Sequence, residues 1–221
     1  MSPRVVLIDL DGTLSDSAPG ILSSLRRAFA DIGVPPLNEA TERSLLGPPF
    51  YESLPPLIGA DRVPAFIDAY RGHYDTAMYE TRVYDGIVDV LADLRELGLT
   101  LAVATSKPEF HAVPIVEHLG IVDYFETIAG DALDGSRDSK AKVIAEALRR
   151  LGSPTPDEVL MMGDRSHDVD GARAHGIGCL GAGWGYGAEG ELAGAVETFA
   201  TPFDLLASHK RLFGERGAES A

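Results

Sequence analysis

Sulfur, positive charge and long apolar runs are all scarce in this chain. One cysteine, Cys179, stands among 221 residues. That excludes an internal disulfide framework and suits a reducing compartment. Its neighbours are apolar, so Cys179 reads as a small core residue and not as a catalytic thiol. Lysine and arginine number 19 against 34 aspartates and glutamates, a net charge of −15. There is no basic run or arm to follow a phosphate backbone, so nucleic acid is disfavoured as a partner. An acidic chain that handles an anion needs local compensation from a cation, a lysine or backbone N–H groups. No apolar run approaches the roughly 20 residues that cross a bilayer, so no membrane partner is expected. Asp9 and Asp11 interrupt the amino-terminal apolar segment early, which argues against a secretory signal and for a cytoplasmic protein. No phosphate-loop signature occurs. His111 and His118 are seven apart and His167 and His175 eight, so neither pair has the i, i+4 spacing of a helical zinc site. There is no internal repeat and no low-complexity tract.

What is present is organised around Val5-Val6-Leu7-Ile8-Asp9-Leu10-Asp11-Gly12-Thr13. Four consecutive apolar residues read as a strand buried on both faces. Two carboxylates at the mouth of such a strand repel each other and resist desolvation, a poor choice for stability. Gly12 then allows a sharp turn.

The length accommodates a core with a small insert. From residue 16 to 84 the pattern is helical. Asp16 or Ser17 can cap a helix to about Ile32 whose apolar face is Ile21, Leu22, Leu25, Ala28, Phe29 and Ile32. A second helix runs from about Asn38 to Leu46, Gly47-Pro48-Pro49 turns the chain, and a longer helix spans about Asp61 to Tyr79. From Gly86 helices and strands alternate. Strands are expected at 99–105, 125–129, 159–164, 177–180 and 196–200, with helices at 87–97, 108–119, 139–151 and 168–175. Such alternation with buried strands predicts an α/β fold, a parallel Rossmann-like sheet covered by helices on both faces. The expected division is a core of residues 1–15 and 85–213 with an all-helical insert over 16–84. The polar tail after Phe213 is expected to fray. In such sheets ligands bind beyond the carboxyl ends of the strands at a topological switch point.

Four groups fall at or beside those ends: Asp9 with Asp11, Thr105 with Ser106, Lys140, and Asp164 with Asp168. Singly, Thr105 reads as a turn hydroxyl, Lys140 as a solvated helix residue and Asp168 as a first-turn carboxylate. Together they form one chemical device. Carboxylates crowded without a His/Cys cluster call for a hard cation, Mg²⁺. A hydroxyl and an ammonium beside it make a receptor for a phosphoryl group. A carboxylate in line with phosphorus can form an aspartyl phosphate, and a second one two residues on can carry the proton.

Asp9-Leu10-Asp11-Gly12-Thr13, Thr105, Lys140 and Gly163-Asp164-Arg165-Ser166-His167-Asp168 resemble, in order and spacing, the four motifs of the haloacid dehalogenase superfamily. Within it the chain is similar to the phosphoglycolate phosphatase and 5′-nucleotidase-like branch, with a helical cap after the first motif. The resemblance implies that Asp9 is nucleophile and metal ligand. It makes Asp11 the acid/base, its backbone carbonyl a second ligand, Asp164 a third, and Asp168 a support for the metal's water shell. Thr105, Ser106, Lys140 and Gly12 would bind phosphate. Lys142 is a rival to Lys140, but Ser139-Lys140-Ala141 begins its helix at the family position. Dehalogenases of the superfamily lack the second aspartate, so Asp11 argues against dehalogenation.

The expected activity is therefore Mg²⁺-dependent hydrolysis of a small soluble phosphomonoester by a monomer or homodimer. The alternatives are a tyrosine-kinase-type signalling protein of this fold, which shares the Gly163–Gly171 run, a sugar phosphomutase, and a non-enzymatic binding module. In this branch the cap selects substrate, and Arg43, Gly47, Phe50, Tyr51 and Arg71 are the candidates there. Gly185-Tyr186-Gly187-Ala188-Glu189-Gly190 matches a dinucleotide fingerprint but lies too late for a βαβ unit. It reads instead as a glycine-rich flap near the site mouth, with Trp184 packed there.

Overall fold

The structure, a computed structural model, describes residues 3–48 and 50–213, with Lys210 through its backbone alone. The tail after Phe213 lies outside the described residues, as does Pro49 of the expected turn. In chain order the elements are β1 (Val5–Ile8), β2 (Ser15–Asp16), α1 (Ala18–Asp31), α2 (Glu39–Ser44), α3 (Phe50–Ser53), α4 (Pro55–Ile58), α5 (Val63–Ala77), β3 (Arg82–Val83), α6 (Ile87–Glu96), β4 (Thr100–Pro108), α7 (Glu109–His118), β5 (Thr127–Asp131), α8 (Lys140–Arg150), β6 (Val159–Gly163), α9 (Ser166–Arg173), β7 (Gly178–Ala182), β8 (Glu197–Phe199) and α10 (Pro202–Phe213). They divide into two compact units, residues up to Ser15 with those from Val83 onward, and Asp16–Arg82. Among the described residues no helix is long and apolar enough to cross a membrane.

The first unit holds a six-stranded sheet in the order β5-β4-β1-β6-β7-β8, and every neighbouring pair is parallel. The α/β reading of the sequence is thus correct. β1 is central, and all four of its residues are buried. Val5 and Leu7 join Ala102, Ala104, Val159 and Met161 in one face of the core, closed by Val143, Ile144 and Ala147 of α8 and Val169 and Ala172 of α9. Cys179 belongs to this cluster. Burial, then the nearby Asp168, push its thiol pKa far up, so it stays protonated and inert. The chain leaves β1, places β4 and β5 on one side of it, then crosses to β6, β7 and β8 on the other. The reversal opens a crevice beyond the carboxyl ends of β1, β4 and β6.

Local differences from the sequence expectations have local causes. Ser17 stands at the N-cap of α1 but makes no capping bond, whereas the Asn38 side chain accepts from Thr41 N–H at 2.9 Å and starts α2. β4 runs on to Pro108, past the expected end at Thr105, through a register shift against β5 between Ala104 and Pro108. α9 begins at Ser166, two residues early, because the Asp168 carboxylate reaches back to Arg165 N–H at 3.1 Å. In the second unit α1 and α5 bury Leu25, Phe29, Phe66 and Ile67. Phe29 and Phe66 rings meet at 4.6 Å.

Candidate active site

β1 delivers Asp9, buried, to the crevice. α8 starts opposite it, because the Ser139 side chain accepts from Lys142 N–H, and that start aims Lys140 inward. Lys140 Nζ donates to Asp9 Oδ1 at 2.8 Å and to the Ala104 carbonyl at 3.0 Å. It also lies 2.7 Å from Asp168 Oδ1. Two of the ammonium's three N–H groups are used on Asp9 and Ala104, and the approach to Asp168 is an ion pair, since Asp168 Oδ1 has no hydrogen-bond partner. Lys140 thus places its charge beside Asp9. Burial disfavours the ammonium, but Asp168 and Asp9 more than offset this and raise its pKa above the ordinary lysine value. Lys142, the rival, is exposed and paired with Asp138 at 2.8 Å.

Asp164, at the end of β6, is fully buried. Tyr186 N–H donates to its Oδ2 at 2.6 Å and Thr13 Oγ1 to its Oδ1 at 3.4 Å. Burial first, then Asp168 and Asp9, push its pKa up to about 8. Burial likewise raises Asp9 to about 6, with Asp168 and Asp11 adding to the rise and Lys140 opposing it. Carboxylate oxygens of Asp9, Asp164 and Asp168 lie within 4.8 Å of one another. When all four are ionised, the aspartates outnumber the two ammonium groups, Lys140 and Lys107, by two charges. That excess, the all-oxygen donor set and the raised carboxylates fit a hard divalent cation. Asp168 Oδ2 accepts from Arg165 N–H at 3.1 Å and Oδ1 is paired in charge with Lys140 at 2.7 Å, which suits a supporting role better than direct ligation.

Asp11 points its two oxygens at different surroundings. Oδ2 is 3.0 Å from Lys107 Nζ. Oδ1 is buried without a hydrogen-bond partner. The sequence motifs assign Lys107 no role. The available signal was strand alternation: i and i+2 share a face, so Lys107 follows Thr105 inward while Ser106 turns outward. Thr105 is buried and Ser106 exposed. Thr105 Oγ1 accepts from Lys107 N–H at 3.2 Å, leaving its O–H available to donate.

Glycines make the close approaches possible. Gly12 has φ +81°, and a Cβ there would sit 2.3 Å from Asp164 Oδ2. Its N–H is spent on the Ser15 carbonyl at 2.9 Å, so Gly12 contributes space and not a phosphate donor. The loop after β7 closes on the same carboxylate. Cβ atoms on Gly185 and Gly187 would fall 2.3 Å from Asp164 Cβ and 2.2 Å from its carbonyl. Trp184 Nε1 donates to the Thr13 carbonyl at 3.0 Å. Glu191 pins the far end of the loop: it pairs with Arg165 Nε at 2.7 Å and accepts from Ala188 and Ser166 N–H. The glycine run thus packs around an aspartate, and its likeness to a dinucleotide fingerprint is incidental.

The second unit holds the remaining candidates. Arg43 is exposed and paired with Glu39 at 3.1 Å. Phe50 packs on Phe66 and Tyr70. Gly47 has φ +100°, and Tyr51 and Arg71 are exposed.

Comparison with known proteins agrees with this geometry. The curated tyrosine-protein kinase PtkA of Mycobacterium tuberculosis is 49% identical over 187 residues, 84% of this chain and 64% of that protein. The chain thus matches less than two-thirds of that relative's length. A 5′-nucleotidase of Pseudomonas aeruginosa is 39% identical over 190 residues, covering 85% of this chain and 86% of the relative. A solved structure described as a predicted phosphatase from Clostridium acetobutylicum superposes with a TM-score of 0.89 at 34% identity, over 96% of this chain and all of that one. The haloacid dehalogenase-like hydrolase family matches residues 6–182, a span that holds every core motif named above, and the chain belongs to that family.

Proposed function

We propose that the protein is a Mg²⁺-dependent phosphatase that hydrolyses a small phosphomonoester through an aspartyl phosphate on Asp9. The observation that carries this reading is Asp9, buried and held by Lys140 at 2.8 Å, two residues before a second carboxylate. Relatives named as a 5′-nucleotidase and as phosphoglycolate phosphatases support the substrate class.

Asp9, Asp164 and the Asp11 carbonyl would hold the cation, which when bound supplies positive charge to the carboxylates and to the phosphoryl oxygens. The other roles belong to the chain. The Thr105 hydroxyl donates to a phosphoryl oxygen, and Lys140 balances charge beside Asp9. An Asp9 carboxylate oxygen attacks phosphorus as the ester P–O bond breaks, and Asp11 gives its proton to the leaving oxygen. Water then attacks the phosphoryl group, Asp11 takes its proton, and the bond to Asp9 breaks to release phosphate. Phosphoglycolate- or nucleoside 5′-monophosphate-like substrates are proposed first, with selection assigned to Arg43, Gly47, Phe50, Tyr51 and Arg71 of the helical unit.

The test is phosphate release across a metabolite panel. EDTA should abolish it and Mg²⁺ restore it, while Ca²⁺, with a larger and looser shell, should restore little. Full activity in metal-free buffer refutes the metal requirement. The name of the mycobacterial relative motivates a second reading, phosphoryl transfer involving tyrosine. ³²P-ATP with a tyrosine-containing peptide tests it: label in the peptide, with no phosphate released from any monoester, would replace the first reading.

A further inference from the structure

The chain has four lysines, Lys107, Lys140, Lys142 and Lys210, against 15 arginines. Lys107 and Lys140 are both buried at the crevice. Lys140 serves Asp9 and Asp168. Lys107 is buried nearly as deeply, with 6% of its side chain exposed, and its Nζ lies 3.0 Å from Asp11 Oδ2. Burying such a pair costs more than an apolar pair of similar volume, so sheet packing does not explain it. The backbone under Lys107 is tightly held. Its N–H bonds Thr105 Oγ1, and a Cβ on Gly130 of the adjacent strand would come within 2.6 Å of its carbonyl oxygen. A fixed backbone and a buried stem place the ammonium at one point.

We infer that Lys107 is a positioning residue for proton transfer, holding Asp11 by Oδ2 so that Oδ1 is the oxygen that carries the proton. A donor already at Oδ2 excludes a proton from that side, and Oδ1 is buried with no hydrogen-bond partner. In the first step the Asp9–phosphorus bond forms, the ester P–O bond breaks, and the proton on Asp11 Oδ1 passes to the leaving alkoxide. In the second, water oxygen bonds phosphorus, its proton goes to Oδ1, and the Asp9–phosphorus bond breaks. The inference rests on the phosphatase reading above.

The experiment compares Lys107→Met with wild type in rapid-quench assays on glycerol 3-phosphate and p-nitrophenyl phosphate. An alkoxide needs the proton and nitrophenolate does not. General acid catalysis contributes about 10²–10⁴-fold, and loss of orientation should remove part of it. Phosphoenzyme formation from the alkyl ester should slow roughly 10–100-fold, and that from p-nitrophenyl phosphate less than about 3-fold. Hydrolysis of the phosphoenzyme should slow by the larger factor whichever substrate formed it. With Asp11→Asn already present, Lys107→Met should add nothing, since two residues acting through one proton are not additive. Lys107→Arg keeps a donor at Oδ2 and should recover part of the loss. If Lys107→Met does not fold, Lys107→Ala, which also removes the donor, should give the same pattern. Equal slowing of both esters, or multiplicative loss with Asp11→Asn, overturns the inference and leaves the phosphatase reading standing. No phosphoenzyme and no phosphate release from wild type overturns both.

Discussion

Gly185→Ala isolates how the loop after β7 sets Asp164. Gly185 is not among the residues at positive φ, so alanine has no backbone penalty there and the cost is contact alone. The added Cβ would lie 2.3 Å from Asp164 Cβ, 2.3 Å from the Gly12 carbonyl oxygen and 2.5 Å from Asp164 Oδ2. Carbon atoms in contact settle at about 3.5–4.0 Å, so the loop must retreat by about 1 Å or more. Tyr186 N–H, one residue on and 2.6 Å from Asp164 Oδ2, retreats with it. A hydrogen bond to a charged group contributes about 1.5–3 kcal/mol, which is roughly 10–100-fold in an equilibrium constant. The same N–H holds the Asp164 pKa down against burial, so its loss also leaves less of the carboxylate ionised to meet a cation. Mg²⁺ affinity should therefore fall about 10–100-fold, the range seen when supporting partners of metal ligands are removed. Calorimetric titration of Mg²⁺ measures it without catalysis. Trp184, the single tryptophan, bonds the Thr13 carbonyl and gives a second readout by fluorescence. Gly72→Ala is the control, because a Cβ there meets nothing within 4 Å. Mg²⁺ affinity within about 2-fold of wild type, in a folded Gly185→Ala protein, would refute the positioning role.

The two aspartates of the first motif should separate by intermediate. Asp9→Asn should form no phosphoenzyme with any ester, whereas Asp11→Asn with p-nitrophenyl phosphate should release about one equivalent of nitrophenolate per site and stop, with phosphate trapped on Asp9; steady turnover of alkyl esters by Asp11→Asn contradicts this. Arg43→Ala or Arg71→Ala should raise KM for the best metabolite while sparing p-nitrophenyl phosphate, and wild-type kinetics on every substrate would remove both from specificity. Glu146 is held near pKa 2, chiefly by hydrogen bonds from Arg149 and Arg150. Its folded pKa is depressed, so its contribution is full above about pH 4.5 and disappears as pH falls toward 2. Discounted for solvent screening, it is about 1 kcal/mol. Glu146→Gln should lower the urea midpoint at pH 7 and match wild type near pH 2, and an equal gap at both pH values would contradict it.

Sequence reading reaches furthest where the chemistry is local. Asp9 and Asp11 stand out because carboxylates ending an apolar strand have a visible cost, and Ser139 marks the start of the helix that presents Lys140. Reading failed where the meaning of a residue depends on a distant partner. Lys107 looks like any lysine until β4 is known to run on to Pro108, which keeps it in alternation with Thr105. Gly185 and Gly187 read correctly as a glycine-rich flap and not a nucleotide fingerprint, but that Asp164 is what they pack around is visible only in the fold. Glu191 reads as a loop carboxylate, yet it ties that loop to Arg165 and Ser166 at the start of α9. Glu109 likewise binds Arg150, Arg137 and Gly130 N–H, holding α7, α8 and β5 together through pairs at least 21 residues apart.

The choice of lysine over arginine at the crevice follows from size and charge together. An acidic chain that gathers four aspartates at one sheet mouth must offset part of their repulsion without filling the space an anionic substrate needs. A guanidinium is a wide planar fork that engages a carboxylate with two nitrogens, whereas an ammonium is a compact point charge on a flexible stem. Lys140 lies within 3.0 Å of three oxygens contributed by Asp9, Asp168 and Ala104, a tripod that a planar group cannot form. Lys107 reaches one oxygen of Asp11 and leaves the other bare. The two ammonium groups neutralise half of the four carboxylates. The charge left over is that of a divalent cation with opposite sign, and the oxygen left bare is the one a proton carrier requires.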